Sequence, residues 1–346
     1  MTQHGKTIRV LVVDDSGLIR DLICTILNSE PDITVVGDAS DGKDALEKVL
    51  ALQPDLVTMD IEMPVLGGLE AIEKIMAAHP VPILVITALT GVRTAFEAVS
   101  RGALDVIEKP DISIENVRKL ISKVRVLSRV DMTAHLATMR KRALPPSPIT
   151  MPPSRAGRGE SRIVAVAAST GGPQAIYKIL SQLPASFPLP IVITQHIAEG
   201  FTQGMVDWLA GGTPLAVSVA LHGERPAPGH VYLNPAEQAL QLTGPTITLG
   251  PQDRRDIYHP SCDTMLNSVA TSFGRQAIGL ILSGMGSDGV AGMRAIKNAG
   301  GATLAQDAAS SVIYGMNKLA IERGGVDRTL PLADIAPALQ SLAGCR

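Results

Sequence analysis

Residues 1–125 switch repeatedly between two hydrophobic periods. Short β-branched runs alternate with stretches whose apolar residues recur every three or four positions, the marks of buried strands and amphipathic helices. The run IRVLVV at 8–13 ends in Asp14-Asp15, and Leu18, Ile19, Leu22, Ile23 and Ile26 then fall at helical spacing. A strand at 34–36 and a helix at 44–51 follow. The strand at 56–59 ends in Asp60, and 69–77 reads as a helix. The strand at 83–86 ends at Thr87, a helix follows near 94–101, and the short strand at 106–107 stops just before Lys109-Pro110. Val117, Leu120, Ile121, Val124 and Leu127 mark one face of a last amphipathic helix. Five successive βα units predict a parallel sheet with helices on both faces.

The pattern weakens after Leu127. Residues 144–161, LPPSPITMPPSRAGRGES, are rich in Pro, Ser and Gly and predict a linker. The expected division is therefore 7–125 for the first domain, 126–161 for a helical extension and linker, and 162–346 for the second domain. In that second domain, 163–168, 191–195, 278–283 and 303–306 read as buried parallel strands with helical patterns between several of them. The stretch 230–250 differs: short strands are broken by Asn-Pro and Gly-Pro. It predicts antiparallel hairpins appended to the parallel core.

Composition narrows the class. The chain has 346 residues, 45% hydrophobic and 18% charged, which suits two globular domains with large cores. A net charge of -2 without a long basic block argues against nucleic-acid binding by bulk electrostatics. Three cysteines, Cys24, Cys262 and Cys345, with no Cys-x-x-Cys, fit a reducing compartment. The start lacks a long apolar segment, and no apolar run reaches the ~18 residues of a spanning helix. A soluble, cytoplasmic protein is expected.

The first candidate site lies at the carboxyl ends of the first five strands, where open α/β sheets place their ligands. Those ends supply Asp14, Asp15, Asp60, Thr87 and Lys109. Three carboxylates in one crevice call for a cation, and hard oxygen ligands with positions left for phosphate suit Mg2+. Asp60 can then act as a nucleophile toward phosphorus, with Lys109 and the metal offsetting charge and Thr87 binding a phosphoryl oxygen. The bland alternative, solvated loop acids, is the better reading for each acid alone and the weaker one for the ordered set. The pieces VVDDS, MDIEMPVLGGLE, TA at 87–88 and GALDVIEKP resemble response-regulator receiver domains. The resemblance implies a flavodoxin-like fold with strand order 2-1-3-4-5. It also implies Asp60 as phosphoacceptor, Asp14 and Asp15 with Asp60 at the Mg2+, and Thr87 and Lys109 as switch residues. Val106 stands where many receivers carry an aromatic switch residue, which argues against a Thr–aromatic relay.

The second candidate site starts at AVAASTGGPQAIYKIL, residues 165–180. Ser169 follows an apolar strand, Gly171 and Gly172 permit a tight turn, and Pro173 suits a helix's first turn. Free amides at such a turn can stabilise an oxyanion. A serine needs a base, and His196 follows the next strand; an imidazole needs an orienting partner, and Asp288 follows a third. The stretch matches neither a dinucleotide fingerprint nor a P-loop, and it lacks the G-x-S-x-G elbow. From spacing alone, the triad competes with three ordinary loop residues.

The motifs AASTGGP, QHIAEGFT, LSGMGSDGVAGM and AQDAASSVIYGM resemble the chemotaxis protein-glutamate methylesterases, the CheB family. With receiver and linker in the same order, the resemblance spans nearly the whole chain. It implies a doubly wound, mainly parallel α/β catalytic domain with an antiparallel hairpin. It implies a Ser169–His196–Asp288 triad, with Thr170 beside the nucleophile and the Met285 amide as an oxyanion donor. The implied activity is phosphorylation-controlled hydrolysis of glutamate methyl esters on chemoreceptor cytoplasmic helices, with deamidation of receptor glutamines, and no cofactor for ester hydrolysis. The implied partners are methyl-accepting chemoreceptors and a chemotaxis histidine kinase as phosphodonor. The chain departs from the family at Asn317, at 234–239 (NPAEQA) and at His259. A non-catalytic, receiver-linked receptor adaptor is the alternative, and a nucleotide-dependent enzyme a third reading.

Overall fold

The computed structural model describes residues 7–88, 92–110, 113–140, 162–253 and 258–345. The chain divides into two compact units, Met1–Ala137 and Thr138–Arg346. The predicted linker at 144–161 lies outside the described residues.

In the first unit, β1 (Ile8–Val13), β2 (Ile33–Ala39), β3 (Leu56–Met59), β4 (Ile83–Thr87) and β5 (Asp105–Glu108) form one sheet in the order β2-β1-β3-β4-β5. Every neighbouring pair is parallel. The connections run through α1 (Gly17–Asn28), α2 (Gly42–Leu52), α3 (Gly68–Ala78) and α4 (Val92–Ser100), and α5 (Ile114–Leu127) closes the unit. The central strands β3 and β4 are buried at every position, as a sheet covered on both faces requires. The second strand is longer than its apolar residues indicate. It lies at the sheet edge, where Thr34 and Asp38 face solvent while their backbone still pairs with β1. Beyond α5 a separate helix, α6, runs over Met132–Arg140, with Met132 and His135 buried.

In the second unit, seven parallel strands lie in the order β14-β13-β12-β6-β7-β9-β8. They are β6 (Ile163–Ala168), β7 (Ile191–Gln195), β8 (Ala216–Val219), β9 (His230–Leu233), β12 (Ala277–Ile281), β13 (Ala302–Gln306) and β14 (Arg328–Leu330). The remaining strands, β10 (Ala239–Thr243) and β11 (Thr246–Gly250), form an antiparallel hairpin. Among the described residues, six helices cover the strands: α7 (Gly172–Leu180), α8 (Thr202–Gly212), α9 (Cys262–Phe273), α10 (Val290–Asn298), α11 (Met316–Glu322) and α12 (Leu332–Ala343). One expectation is corrected. Residues 230–233 are not part of a hairpin but a parallel strand between β7 and β8. Val231, Tyr232 and Leu233 are all buried, and a continuous buried run suits a sheet interior better than an exposed ribbon.

The order of strands sets the site. The chain leaves β6 toward β7 and later returns to β12 on β6's other side. The carboxyl end of β6 is thus the topological switch point, where open α/β sheets bind ligands. Ser169 follows that strand end directly.

Candidate functional site

Glycines let the turn after β6 and the loop after β12 pack closely on their neighbours. A Cβ on Gly172 would lie 2.1 Å from Gln195 Oε1, and one on Gly284 would lie 2.7 Å from Ser169 Cβ. Gln195, at the end of β7, donates through one amide nitrogen to the carbonyls of Ser169 (2.9 Å) and His196 (3.0 Å). The Ser169 amide donates to Ser283 O, and the Ser283 hydroxyl donates to Thr170 O. Ser169 and Thr170 are buried, and the loop carrying Gly284 and Met285 packs against the serine.

His196 continues β7, one register step beyond the Ala168–Gln195 pair, as Ser169 continues β6. Parallel neighbours lie about 4.8 Å apart, so the backbones carrying serine and histidine leave adjacent strand ends. The His196 amide donates to Ala168 O. On the ring, Nε2 meets Asp288 Oδ2 at 2.8 Å, and among the described residues Nδ1 makes no hydrogen bond. Among the described residues, no hydrogen bond joins the Ser169 hydroxyl to His196. Such contacts often tighten only once substrate is bound. The Tyr258 ring stacks on the imidazole with centroids 5.0 Å apart and planes 4° from parallel.

Asp288 is held at the N-terminus of α9. Its carboxylate accepts from the amides of Cys262 (2.6 Å) and Asp263 (2.8 Å) and from the Ser261 hydroxyl (3.3 Å). Burial by itself would raise this carboxyl. The His196 contact and the two amides outweigh it and hold the group below its ordinary value. A buried acid that stays charged beside an imidazole is what a hydrolytic base requires.

At the first unit's strand ends, Lys109 Nζ lies 2.8 Å from both Asp14 Oδ2 and Asp60 Oδ2. The remaining oxygens take backbone amides: Ser16 N donates to Asp14 Oδ1, and Ile61 N to Asp60 Oδ1. Burial raises the Asp14 carboxyl above its ordinary value despite Lys109 and the Ser16 amide. Burial would lower Lys109, but Asp14 and Asp60 prevail and raise it. One carboxylate oxygen from each of Asp14, Asp15 and Asp60 lies within 4.8 Å of the others, and Asp15 is exposed. Three oxygens with one open side fit a hard divalent cation. Thr87 is buried at the same edge, its hydroxyl donating to Ala88 O at 3.4 Å rather than to a carboxylate.

Several contributors leave no clear trace in the sequence. Arg20 donates to the carbonyls of Asp14 and Asp15 and pairs with Asp38, anchoring the acidic loop. Asn317 is fully buried and donates to Gln306 O and Ser311 Oγ, so it braces the 307–311 turn. Within 234–239, Ala236 N donates to Thr202 Oγ1 and Glu237 accepts from Gly200 N, which ties this segment to the loop after His196. These departures from the family pattern thus have structural partners.

Comparison with known proteins covers both units of the chain. The family described as CheB methylesterase matches residues 164–339, and the response regulator receiver domain family matches 10–122. The chain belongs to the CheB methylesterase family. It is 46% identical to protein-glutamate methylesterase/protein-glutamine glutaminase 3 of Paramagnetospirillum magneticum, over 99% of this chain and 98% of that protein. It is 42% identical to protein-glutamate methylesterase/protein-glutamine glutaminase 2 of Anaeromyxobacter dehalogenans, over 97% of each. The crystal structure of the Thermotoga maritima CheB methylesterase catalytic domain superposes with a TM-score of 0.51 at 35% identity, covering 53% of this chain and 99% of that one.

Proposed function

We propose that this chain is a receiver-controlled protein-glutamate methylesterase and protein-glutamine glutaminase acting on methyl-accepting chemoreceptors. The observation that carries the reading is the 2.8 Å contact of His196, at the strand end adjacent to that of Ser169, with a buried, charge-stabilised Asp288. His196 Nδ1 takes the Ser169 proton as Oγ attacks the ester carbonyl. The tetrahedral oxyanion is received by backbone amides at Thr170 and Met285, each donor of this kind contributing about 3–4 kcal/mol. The imidazolium then protonates methanol as the C–O bond breaks. Water, deprotonated by the same imidazole, releases the free glutamate and regenerates Ser169. With a glutamine substrate the same steps release ammonia. Asp288 stays ionised and holds the ring through Nε2.

In the receiver, Asp60 is the phosphoacceptor and the histidine kinase its donor. Asp14, Asp15 and Asp60 would hold a Mg2+ ion, which when bound neutralises charge on the transferring phosphoryl group. Lys109 holds the Asp60 oxygen in place, and Thr87 waits at the pocket edge for a phosphoryl oxygen. Among the described residues, no helix is long and apolar enough to cross a membrane. A cytoplasmic location follows from the proposed substrate, the cytoplasmic helices of the receptors. The adaptor alternative leaves the charged, amide-bound Asp288 without a purpose.

The test measures methanol release from methylated receptor, with and without a small-molecule phosphodonor and Mg2+. The phosphodonor is expected to raise the wild-type rate and to leave Asp60→Asn unchanged. Ser169→Ala is expected to lose activity while Asp60 still accepts phosphate. Wild-type release by Ser169→Ala would end the esterase assignment, and equal rates with and without phosphodonor would end the control.

A further inference from the structure

Cys262 opens α9 directly beneath the catalytic histidine. Its thiol is fully buried, 3.6 Å from Thr194 O and 3.5 Å from His196 Nε2. The hydrolytic mechanism gives the thiol no role, although its side chain is packed in the hydrophobic core. The backbone amide of Cys262 already serves Asp288, whatever its side chain. Three different ligand atoms therefore converge: the His196 nitrogen, the Cys262 sulfur and an Asp288 oxygen, all within 4.8 Å of one another.

One edge of this cluster has the spacing of a metal site. A tetrahedral zinc with Zn–S about 2.3 Å and Zn–N about 2.0–2.1 Å holds sulfur and nitrogen roughly 3.5–3.6 Å apart. The observed sulfur–nitrogen distance is 3.5 Å. The nitrogen–oxygen edge, now 2.8 Å, has to open to roughly 3.3 Å, a half-ångström adjustment. Thiolate, imidazole and carboxylate together favour zinc-like borderline ions over Mg2+.

We propose that His196, Cys262 and Asp288 form an inhibitory site for a thiophilic divalent cation such as Zn2+. Water fills the fourth position. On binding, the Cys262 proton leaves to solvent and the thiolate joins the metal. The imidazole moves its single proton from Nε2 to Nδ1 and gives Nε2 to the metal, and Asp288 stays a carboxylate. One proton is released in all. The Nδ1 that must accept the Ser169 proton is then already protonated, so hydrolysis stops. Metal binding needs only these three side chains; the loss of activity also rests on the proposed esterase reading.

The test uses the full-length protein in excess Mg2+, which occupies the receiver acids, together with Cys262→Val and Cys262→Ala. Co2+ serves as the spectroscopic probe and Zn2+ as the inhibitor. Wild type is expected to show a thiolate-to-cobalt charge-transfer band and, with Zn2+, a loss of methanol release that a chelator reverses. Both variants are expected to hydrolyse ester without zinc, to lack the band and to resist zinc concentrations that silence wild type. Equal zinc sensitivity in wild type and in either active variant, or no thiolate band in wild type, overturns the site. If neither variant is active, the wild-type band alone decides. A band present in a protein that releases no methanol under any condition would leave the metal site standing and remove the esterase reading.

Discussion

Two buried carboxylates, Asp14 in the receiver and Asp288 in the hydrolase unit, invite comparison. Both follow a parallel strand region at the carboxyl edge of a sheet, and both are more than nine-tenths buried. Their proton affinities move in opposite directions. Asp14 has burial against it, one amide from Ser16, a lysine it shares with Asp60, and Asp60 itself as a like charge. Asp288 also suffers burial, yet it has an imidazole of its own, two amides from the first turn of α9 and the Ser261 hydroxyl. The hydrolase acid is completed by the fold. The receiver acid is left under-compensated by the fold.

The largest expected effect tests the completed site. Asp288→Asn keeps the shape but turns an NH2 toward amides that now donate to a carboxylate, and it removes the charge that holds the imidazolium. Methanol release should fall on the order of 10⁴-fold, as when a triad carboxylate is neutralised elsewhere. Receiver phosphorylation should be unaffected. A loss of less than tenfold would mean that the contact between His196 and Asp288 is structural only.

A middle effect concerns how serine and histidine keep their spacing. One Gln195 nitrogen serves both of their carbonyls. Gln195→Leu fills similar space but frees both carbonyls, and an ångström-scale misplacement costs up to ~10²-fold in kcat. KM should change little, because the amide contacts backbone beneath the cleft. A variant with unchanged kcat would show that the Gly172 and Gly284 contacts alone fix the site.

Much of this was legible in the sequence. Strand ends could be placed because buried strands are continuous apolar runs, so Asp60, Ser169 and His196 fall where the pattern puts them. The failures have separate causes. The edge strands β8 and β14 contain mostly half-exposed residues, and short polar edges carry no apolar run to find. β9 was misread because Asn234-Pro235 directly after it has the look of a hairpin turn. Gln195, Arg20 and Asn317 act on backbone carbonyls far away in the chain, and the sequence pattern around such residues holds no mark of their partners. Cys262 looked like an isolated cysteine because its neighbours, His196 and Asp288, come from other segments.

The smallest effect separates the two acids by pH. Asp288 binds its proton less tightly when folded, so it adds stability at neutral pH that is lost as pH falls from the ordinary carboxylate value through its lowered folded value. Asp14 binds its proton more tightly when folded. Its contribution therefore runs the other way: stability declines as pH rises from the ordinary value through the raised folded value, and the deficit persists at neutral pH. Asp14→Asn removes that deficit and leaves Lys109 paired with Asp60. The receiver's unfolding midpoint at pH 7 should rise by roughly 2–5 °C, while phosphorylation of Asp60 in Mg2+ is lost. The gain should shrink as pH is lowered toward the ordinary carboxylate value, where wild-type Asp14 is itself protonated. Thermal unfolding followed by amide protection within β1 and β3 reads the receiver separately from the hydrolase unit. A midpoint that falls at neutral pH would show that the ion pair with Lys109 outweighs burial, and that the receiver's acid pocket is as complete as the hydrolase's.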